Sequence, residues 1–174
     1  LDDVQIILQQ QLPLLTQRLK TTLDKLTDPT KETSKVAAIS TWWDQLKIRY
    51  NQRNINFSDN LDCNFDIPID TYDSIIENLL ENARSKRILD PNIEINVKLA
   101  CHNNQARLTV CDTGKAMPEH LASILFTMPL DSEDGFGIGL YQSQQQARHH
   151  NMELELYENI DGRVCFRLEQ QEIN

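Results

Sequence analysis

Residues 134–140 read DGFGIGL. The chain has five glycines, and Gly135, Gly137 and Gly139 stand here, alternating with Phe136 and Ile138 before Leu140 closes the run. A Walker A loop is excluded, because no Gly-Lys-Ser/Thr follows. The dinucleotide fingerprint fails too: its third glycine would stand where Leu140 does, and it must follow a strand. The preceding stretch, TMPLDSED (127–134), holds a proline and three acids and cannot be a central strand. The following stretch, LYQSQQQARHH (140–150), reads as helix. The glycines therefore open a helix. There the backbone N–H groups are free, the dipole favours an anion, and the missing Cβ lets a ligand come close. Read alone, the run fits a plain mobile loop equally well.

Composition bounds the rest. At 174 residues, 40% hydrophobic and 25% charged, the chain can bury one core, or a smaller core with an appended helical segment. No apolar run approaches the ~18 residues of a membrane span. The start, LDDVQIILQQQ, lacks the basic region of a signal peptide and has no Met, so we expect a piece of a longer or processed protein. Any membrane-bound parts would lie outside it. The net charge of -9 argues against a general nucleic-acid binder, while leaving room for a local basic pocket for phosphates. Cys63, Cys101, Cys111 and Cys165 form no CxxC pair and have no zinc-like histidine nearby. The expectation is buried free thiols in a reducing cytoplasm.

Along the chain, Val4, Leu8, Leu12, Leu15, Leu19, Leu23 and Leu26 recur at steps of three and four, the stripe of a helix that pairs with other helices. Pro13 should kink it. TDPTKET (27–33) reads as a turn, and a second helix is expected from about Ser34 to Gln52 with Val36, Ile39, Trp43, Leu46 and Tyr50 on its apolar face. Together they make an antiparallel hairpin over residues 1–54. From residue 55 strands and helices mix. INF (55–57) and CNFDI (63–67) read as short strands around a turn at SDNLD (58–62). A helix follows over 69–87, capped by Asp70 or Thr71, burying Tyr72, Ile75, Ile76, Leu79, Leu80 and Ala83. Strands at 93–100 and 106–112 flank the HNNQ turn, and a short helix lies within 118–126. A helix then runs from about Ile138 to His149, and strands at 152–158 and 163–169 join at Asp161-Gly162. The fold class is α+β over residues 55–174, with helices on one face of a mixed or antiparallel sheet.

Two further stretches carry chemistry. On the helix over 72–87, Glu77, Asn78, Glu81 and Asn82 lie opposite the apolar face, with the asparagines one turn apart. Amide and carboxylate oxygens suit Mg²⁺ beside phosphate oxygens and water. Arg84, Lys86 and Arg87 follow and can meet phosphate charge. A solvated polar face fits the same residues. In VCDTGKAMP (110–118) an apolar strand ends at Asp112 and Gly114 follows. A carboxylate there can accept from an exocyclic amine such as that of adenine, and the glycine lets a ring approach. A capped turn is the plainer reading.

Taken in order, these stretches resemble the ATP-binding domain of sensor histidine kinases, part of the superfamily shared with gyrase, the Hsp90 chaperones and the MutL repair proteins. ENLLENA (77–83) resembles the N box, DTGKAMP (112–118) the G1 box, ILF (124–126) the F box and GFGIGL (135–140) the G2 box. The resemblance spans roughly residues 55–170. It implies a two-layer α/β sandwich that holds ATP and Mg²⁺ between helices and a mobile lid. Asn82 would be the Mg²⁺ ligand, with Asn78 its catalytic partner one turn earlier. Asp112 would bond the adenine amino group, with Gly114 and Met117 against the base. Gly135, Phe136, Gly137, Ile138, Gly139 and Leu140 would form the lid hinge and triphosphate cradle. Lys86 or Arg84 would stand for the family's N-box lysine, one place out of register. Ala116 replaces the second G1 glycine, and the short lid carries Asp131, Glu133 and Asp134, which repel phosphate unless Mg²⁺ intervenes. Cys165 precedes Phe166 where relatives often have a threonine near the adenine. These departures imply modest ATP affinity.

The resemblance further implies two-component signalling: transfer of the γ-phosphoryl to a histidine on a helical hairpin, a homodimer through the N-terminal helices, a response-regulator partner, a cytoplasmic location and no nucleic acid. Residues 1–60 contain no histidine, and LQQQLPLL (8–15) loosely resembles the H box with Leu8 in the histidine's place. The acceptor therefore stands outside the chain, or the hairpin is degenerate. His102, His120, His149 and His150 read as ordinary surface or core residues. Asn78 stands where hydrolytic relatives polarise water with a glutamate, so vigorous ATPase activity is not expected, though Glu77 or Glu81 can assist. Two alternatives are a non-enzymatic regulator built on a degenerate ATP-binding or dimerisation module, and an anti-sigma-factor-type serine kinase. The leucine-striped hairpin speaks against the latter.

Overall fold

Alternation of buried and exposed side chains runs through Ile95–His102 and Gln105–Asp112, and these strands set the frame. The computed structural model describes residues 35–128 and 137–171. Their elements are, in order, β1 (Val36–Ala38), α1 (Ile39–Tyr50), β2 (Ile55–Leu61), β3 (Asp66–Pro68), α2 (Ile69–Leu89), β4 (Ile95–His102), β5 (Gln105–Asp112), α3 (Glu119–Ala122), α4 (Gly137–His149), β6 (Met152–Ile160) and β7 (Arg163–Gln170). The chain divides into two compact units, residues 1–34 and 35–174. The first arm of the expected hairpin lies outside the described residues, as do Gly135, Phe136 and the acids of DSED.

The main sheet has the order β2-β4-β5-β7-β6, with β2 parallel to β4 and the remaining pairs antiparallel. It is the mixed sheet expected of the α+β class. Ile95, Val97, Leu99, Ala106, Leu108 and Val110 point to the face that α2 and α4 cover, and there they join Ile75, Ile76, Leu79, Leu80, Leu140 and Ala147 in the core. The opposite face carries Lys98, Arg107, Thr109 and Arg167. Asn103 and Asn104 turn β4 into β5 with left-handed φ angles of 51° and 60°, as a two-residue hairpin requires. Gly162, at φ 83°, does the same between β6 and β7.

The helix expected over 34–52 is shorter and belongs to the sheet unit. Residues 36–38 leave the helix and pair with β3, Ala37 opposite Ile67. Trp42 joins Ile39, Trp43, Leu46 and Tyr50 in the buried set. The Trp42 indole N–H donates to Asp73 Oδ1 at 2.8 Å, and that of Trp43 to Asp59 Oδ2 at 2.7 Å. The rings meet Tyr72 and Phe57 edge-on, with centroids 5.2 and 5.5 Å apart. Burying each indole contributes on the order of 4–6 kcal/mol as an upper bound. The boundary therefore falls at 34/35 in place of 54/55. A helical stripe has the same spacing whether it faces a helix or a sheet, which is why the periodicity did not separate the two.

Four other expectations change. β2 runs straight through Ser58, Asp59 and Asn60, which were read as a turn; at the sheet edge such polar side chains reach solvent, or in Asp59's case an indole. CNFDI contributes only β3, in a separate two-stranded sheet. The N-cap of α2 is Pro68, without a side-chain cap from Asp70 or Thr71, and the Ile69 N–H donates to Lys35 O at 2.9 Å. The four cysteines are paired, Cys63 with Cys101 and Cys111 with Cys165. Cys111 and Cys165 stand directly opposite on β5 and β7, and Cys101 lies opposite Leu61, two residues from Cys63. Strand register, invisible in the spacing, brings them together. The free-thiol argument for a reducing compartment falls with it.

Candidate functional site

The polar groups of the site sit along one side of α2. Asn78, Asn82 and Lys86 recur every four residues, so their side chains form a row that rises roughly 12 Å along the helix axis. At one end of the row is the first turn of α4. The Asn78 amide Nδ2 donates to Gly139 O at 3.2 Å and to Ser143 Oγ at 2.8 Å. A Cβ on Gly139 would lie 3.1 Å from Asn78 Oδ1, so close packing of the two helices favours glycine there. At the other end is the last residue of β5, Asp112, 4% exposed. Lys86 Nζ donates to both its oxygens, at 3.0 and 2.8 Å, and the Gly114 N–H donates to Oδ1 at 2.9 Å.

Asn82 stands between these ends. Its Nδ2 is buried and has no hydrogen-bond partner among the described residues. An unpaired buried amide costs about 1–3 kcal/mol, a cost that a polar ligand would remove. Among the described residues no cluster of three or more His, Cys, Asp or Glu could cage a metal. An orphan N–H donor fits a phosphate oxygen, and the Oδ1 of the same side chain is the kind of hard ligand that Mg²⁺ takes beside phosphate oxygens and water. The residues present fit that arrangement.

The loop after β5 is held from across the sheet. Gly162 N–H donates to Gly114 O at 2.9 Å, and Ala116 N–H to Asp161 Oδ1 at 2.9 Å. Asn159 grips Met117 twice: its Oδ1 accepts from Met117 N–H at 2.7 Å and its Nδ2 donates to Met117 O at 2.9 Å. The hairpin at Asp161-Gly162 was read only as a turn. Its second role, fixing the DTGKAMP loop, has no local sequence signal because the partners are more than forty residues apart. Ser143 and Gln144 were also missed. Both are buried, and Gln144 Oε1 accepts from Leu154 N–H at 3.0 Å, which orients α4 on β6.

The other candidate residues divide. Gly137 opens α4, Ile138 is 53% exposed, and Leu140 and Met117 are buried in the core. Lys86 pairs with Asp112, at the opposite end of the row from α4. Arg84 is exposed. Arg87 is tied down, donating to Ile93 O, Arg53 O and Asn54 O at 2.8, 3.1 and 2.9 Å. Glu77 faces Arg49 of α1 at 3.8 Å. Of the ILF stretch, Leu125 is buried and Phe126 meets Phe166 edge-on, with centroids 6.4 Å apart.

Several solved structures share this fold. The catalytic domain of histidine kinase ThkA, in a nucleotide-free form, superposes with a TM-score of 0.63 at 18% identity, over 78% of this chain and 95% of that one. Histidine kinase ThkA in complex with the response regulator protein TrrA gives a TM-score of 0.63 at 16% identity, over 91% of this chain and 48% of that one. The mycobacterial sensor histidine kinase MprB gives 0.58 at 16% identity, over 78% and 97%. At such identities the likeness is one of fold. Among curated protein sequences no match is found. The family model for histidine kinase-, DNA gyrase B- and HSP90-like ATPases matches residues 69–172, from the start of α2 to beyond the end of β7, and the chain belongs to that family.

Proposed function

We propose that residues 35–174 are the catalytic domain of a two-component sensor histidine kinase, binding Mg·ATP and giving up its γ-phosphoryl to a histidine carried on a helical segment outside this domain. The single observation that carries the reading is the row on α2: an unpaired buried amide at Asn82, between the buried carboxylate of Asp112 and the glycine-opened helix α4. Asp112 accepts from the base, and the free N–H groups at the start of α4 receive the phosphates. Asn82 offers its amide between them. When bound, Mg²⁺ would neutralise phosphate charge, and the chain's own part is to position and orient, as in phosphoryl transfer generally. Asn78 is spent on joining α2 to α4, so it sets geometry and does not polarise a water.

Dimerisation through residues 1–34, a response-regulator partner and a cytoplasmic location, where ATP is available, belong to the same proposal. The fold shared with ThkA, which is known in complex with a response regulator, supports the second of these. Disulfides are rare in that compartment, so the cysteine pairs bear on the third. A non-enzymatic regulator is the second reading, favoured by the engagement of Asp112 with Lys86.

Calorimetric titration of the full chain with Mg·ATP tests the proposal. Micromolar to millimolar binding is expected, with loss of at least tenfold in Asn82→Ala and in Asp112→Ala. Phosphoryl transfer to a histidine-bearing helical domain supplied in trans then separates the kinase from the regulator. Absence of ATP binding in the wild type refutes the kinase and leaves the non-enzymatic regulator.

A further inference from the structure

We propose that Lys86 occupies the base site from within, as a latch that an incoming nucleotide base must displace; the inference rests on the nucleotide-binding reading above. Two independent contacts carry it. The first is electrostatic. Lys86 Nζ donates to both oxygens of Asp112, at 3.0 and 2.8 Å, and Gly114 N–H adds a third donor at 2.9 Å. A carboxylate offers about four lone-pair sites, so little of Asp112 remains for an exocyclic amine. Its strongest partner is already a cation, and hydrogen bonds between charged groups are roughly twice as strong as neutral ones.

The second contact is steric. Gly114 is the residue whose missing Cβ leaves room beside Asp112. A Cβ built there meets Asp112 Oδ1 at 2.8 Å, Ile93 Cδ1 at 3.1 Å and Lys86 Cδ at 3.2 Å. The stem of Lys86 therefore lies in the space the glycine opens, and its head caps the carboxylate the base would use. Its side chain is 19% exposed and reaches solvent, so it has a way out without unfolding α2. The base must exchange a charged donor for a neutral one at Asp112. The latch thus lowers affinity for the base and leaves contacts to the phosphates untouched.

The test titrates the full chain with Mg·ATP and, separately, with magnesium tripolyphosphate, which has no base. Wild type is compared with Lys86→Met and with Lys86→Gln. The glutamine variant keeps one neutral donor for Asp112 should the methionine variant fold poorly. Both variants are expected to bind Mg·ATP about tenfold tighter than wild type, with tripolyphosphate affinity unchanged. Equal or weaker Mg·ATP binding by the folded variants overturns the latch and leaves the nucleotide reading intact. Equal tightening of tripolyphosphate also overturns it, by placing the effect at the phosphates. If none of the three proteins binds Mg·ATP, both the latch and the nucleotide reading are wrong.

Discussion

The side-chain amide of Asn78 on α2 reaches across to α4, donating at once to the carbonyl of Gly139 and the hydroxyl of Ser143. This joint lies where the glycine-opened turn begins, so it couples the helix that carries the polar row to the helix that would receive phosphate. Leu79 of α2 and Leu140 and Ala147 of α4 lie in the same buried core, and the Asn78 joint adds a directional polar contact to it.

Asn78→Ala should remove both bonds and leave Ser143, which is fully buried, with fewer partners. We expect a stability loss of about 1–3 kcal/mol, seen in urea unfolding as a lower midpoint at unchanged slope. Mg·ATP affinity should fall more than tenfold, because the start of α4 loses its tie to the row. Full stability in Asn78→Ala would show that the joint is incidental.

The two glycines of the site should respond unequally to alanine. At Gly139 the atoms nearest the new Cβ belong to the Asn78 side chain, at 3.1 Å, which can turn aside at the expense of its bonds. At Gly114 it meets the Asp112 carboxylate at 2.8 Å and the Ile93 side chain at 3.1 Å, in the buried interior of the site. Gly114→Ala should cost about 1–3 kcal/mol, as overpacking does, and Gly139→Ala less. Thermal unfolding of the two variants side by side checks the order.

The grip of the β6–β7 hairpin on the loop after β5 is specific enough to read amide by amide. In Asn159→Ala the Met117 amide should exchange faster with solvent, and in Asp161→Ala the Ala116 amide should. Each change should be local, since exchange reports regional opening as well as global unfolding. Uniform acceleration across the sheet would mean that the hairpin supports the whole fold and not this loop.

Burial raises the phenol pKa of Tyr72 well above its ordinary value, and desolvation raises that of Tyr50 in the same direction. A folded-state pKa above the unfolded one means that the folded protein resists losing the proton. That stability is fully present below about pH 10, the unfolded value, and is lost as pH rises from there toward the folded value. Tyr72→Phe should make the alkaline fall in unfolding free energy shallower, as measured by denaturation between neutral and strongly alkaline pH.

The cysteine pairs predict a thiol count. Unfolded in denaturant without reductant, the oxidised chain should show no titratable thiol; after reduction it should show four. Reduction should also lower stability by about 2–4 kcal/mol, the usual worth of closing loops in the unfolded chain. Free thiols in the unreduced, air-exposed protein would count against the pairing.

What the sequence determined by itself was local. The three-to-four spacing of Tyr72, Ile75, Ile76, Leu79, Leu80 and Ala83 set α2 and its buried face, and the glycine run marked the opening of α4. The turn residues at Asn103-Asn104 and Asp161-Gly162 marked the hairpins. The positions of Asn78, Asn82 and Asp112 on those elements followed, because helix and strand periodicities are properties of neighbouring residues. Only the tertiary structure decided which surfaces meet. The stripe at Ile39, Trp43 and Leu46 did not say whether it would face a helix or a sheet, and the sheet unit claimed it by burying two indoles with their N–H groups paired. Lys86 was legible as a cation near a phosphate site, yet its partner is a carboxylate 26 residues further on. The pairing of Cys111 with Cys165 spans 54 residues and the hold of Asn159 on Met117 spans 42. Such contacts follow from strand order and register, which the whole core selects together, and no local window of sequence contains them.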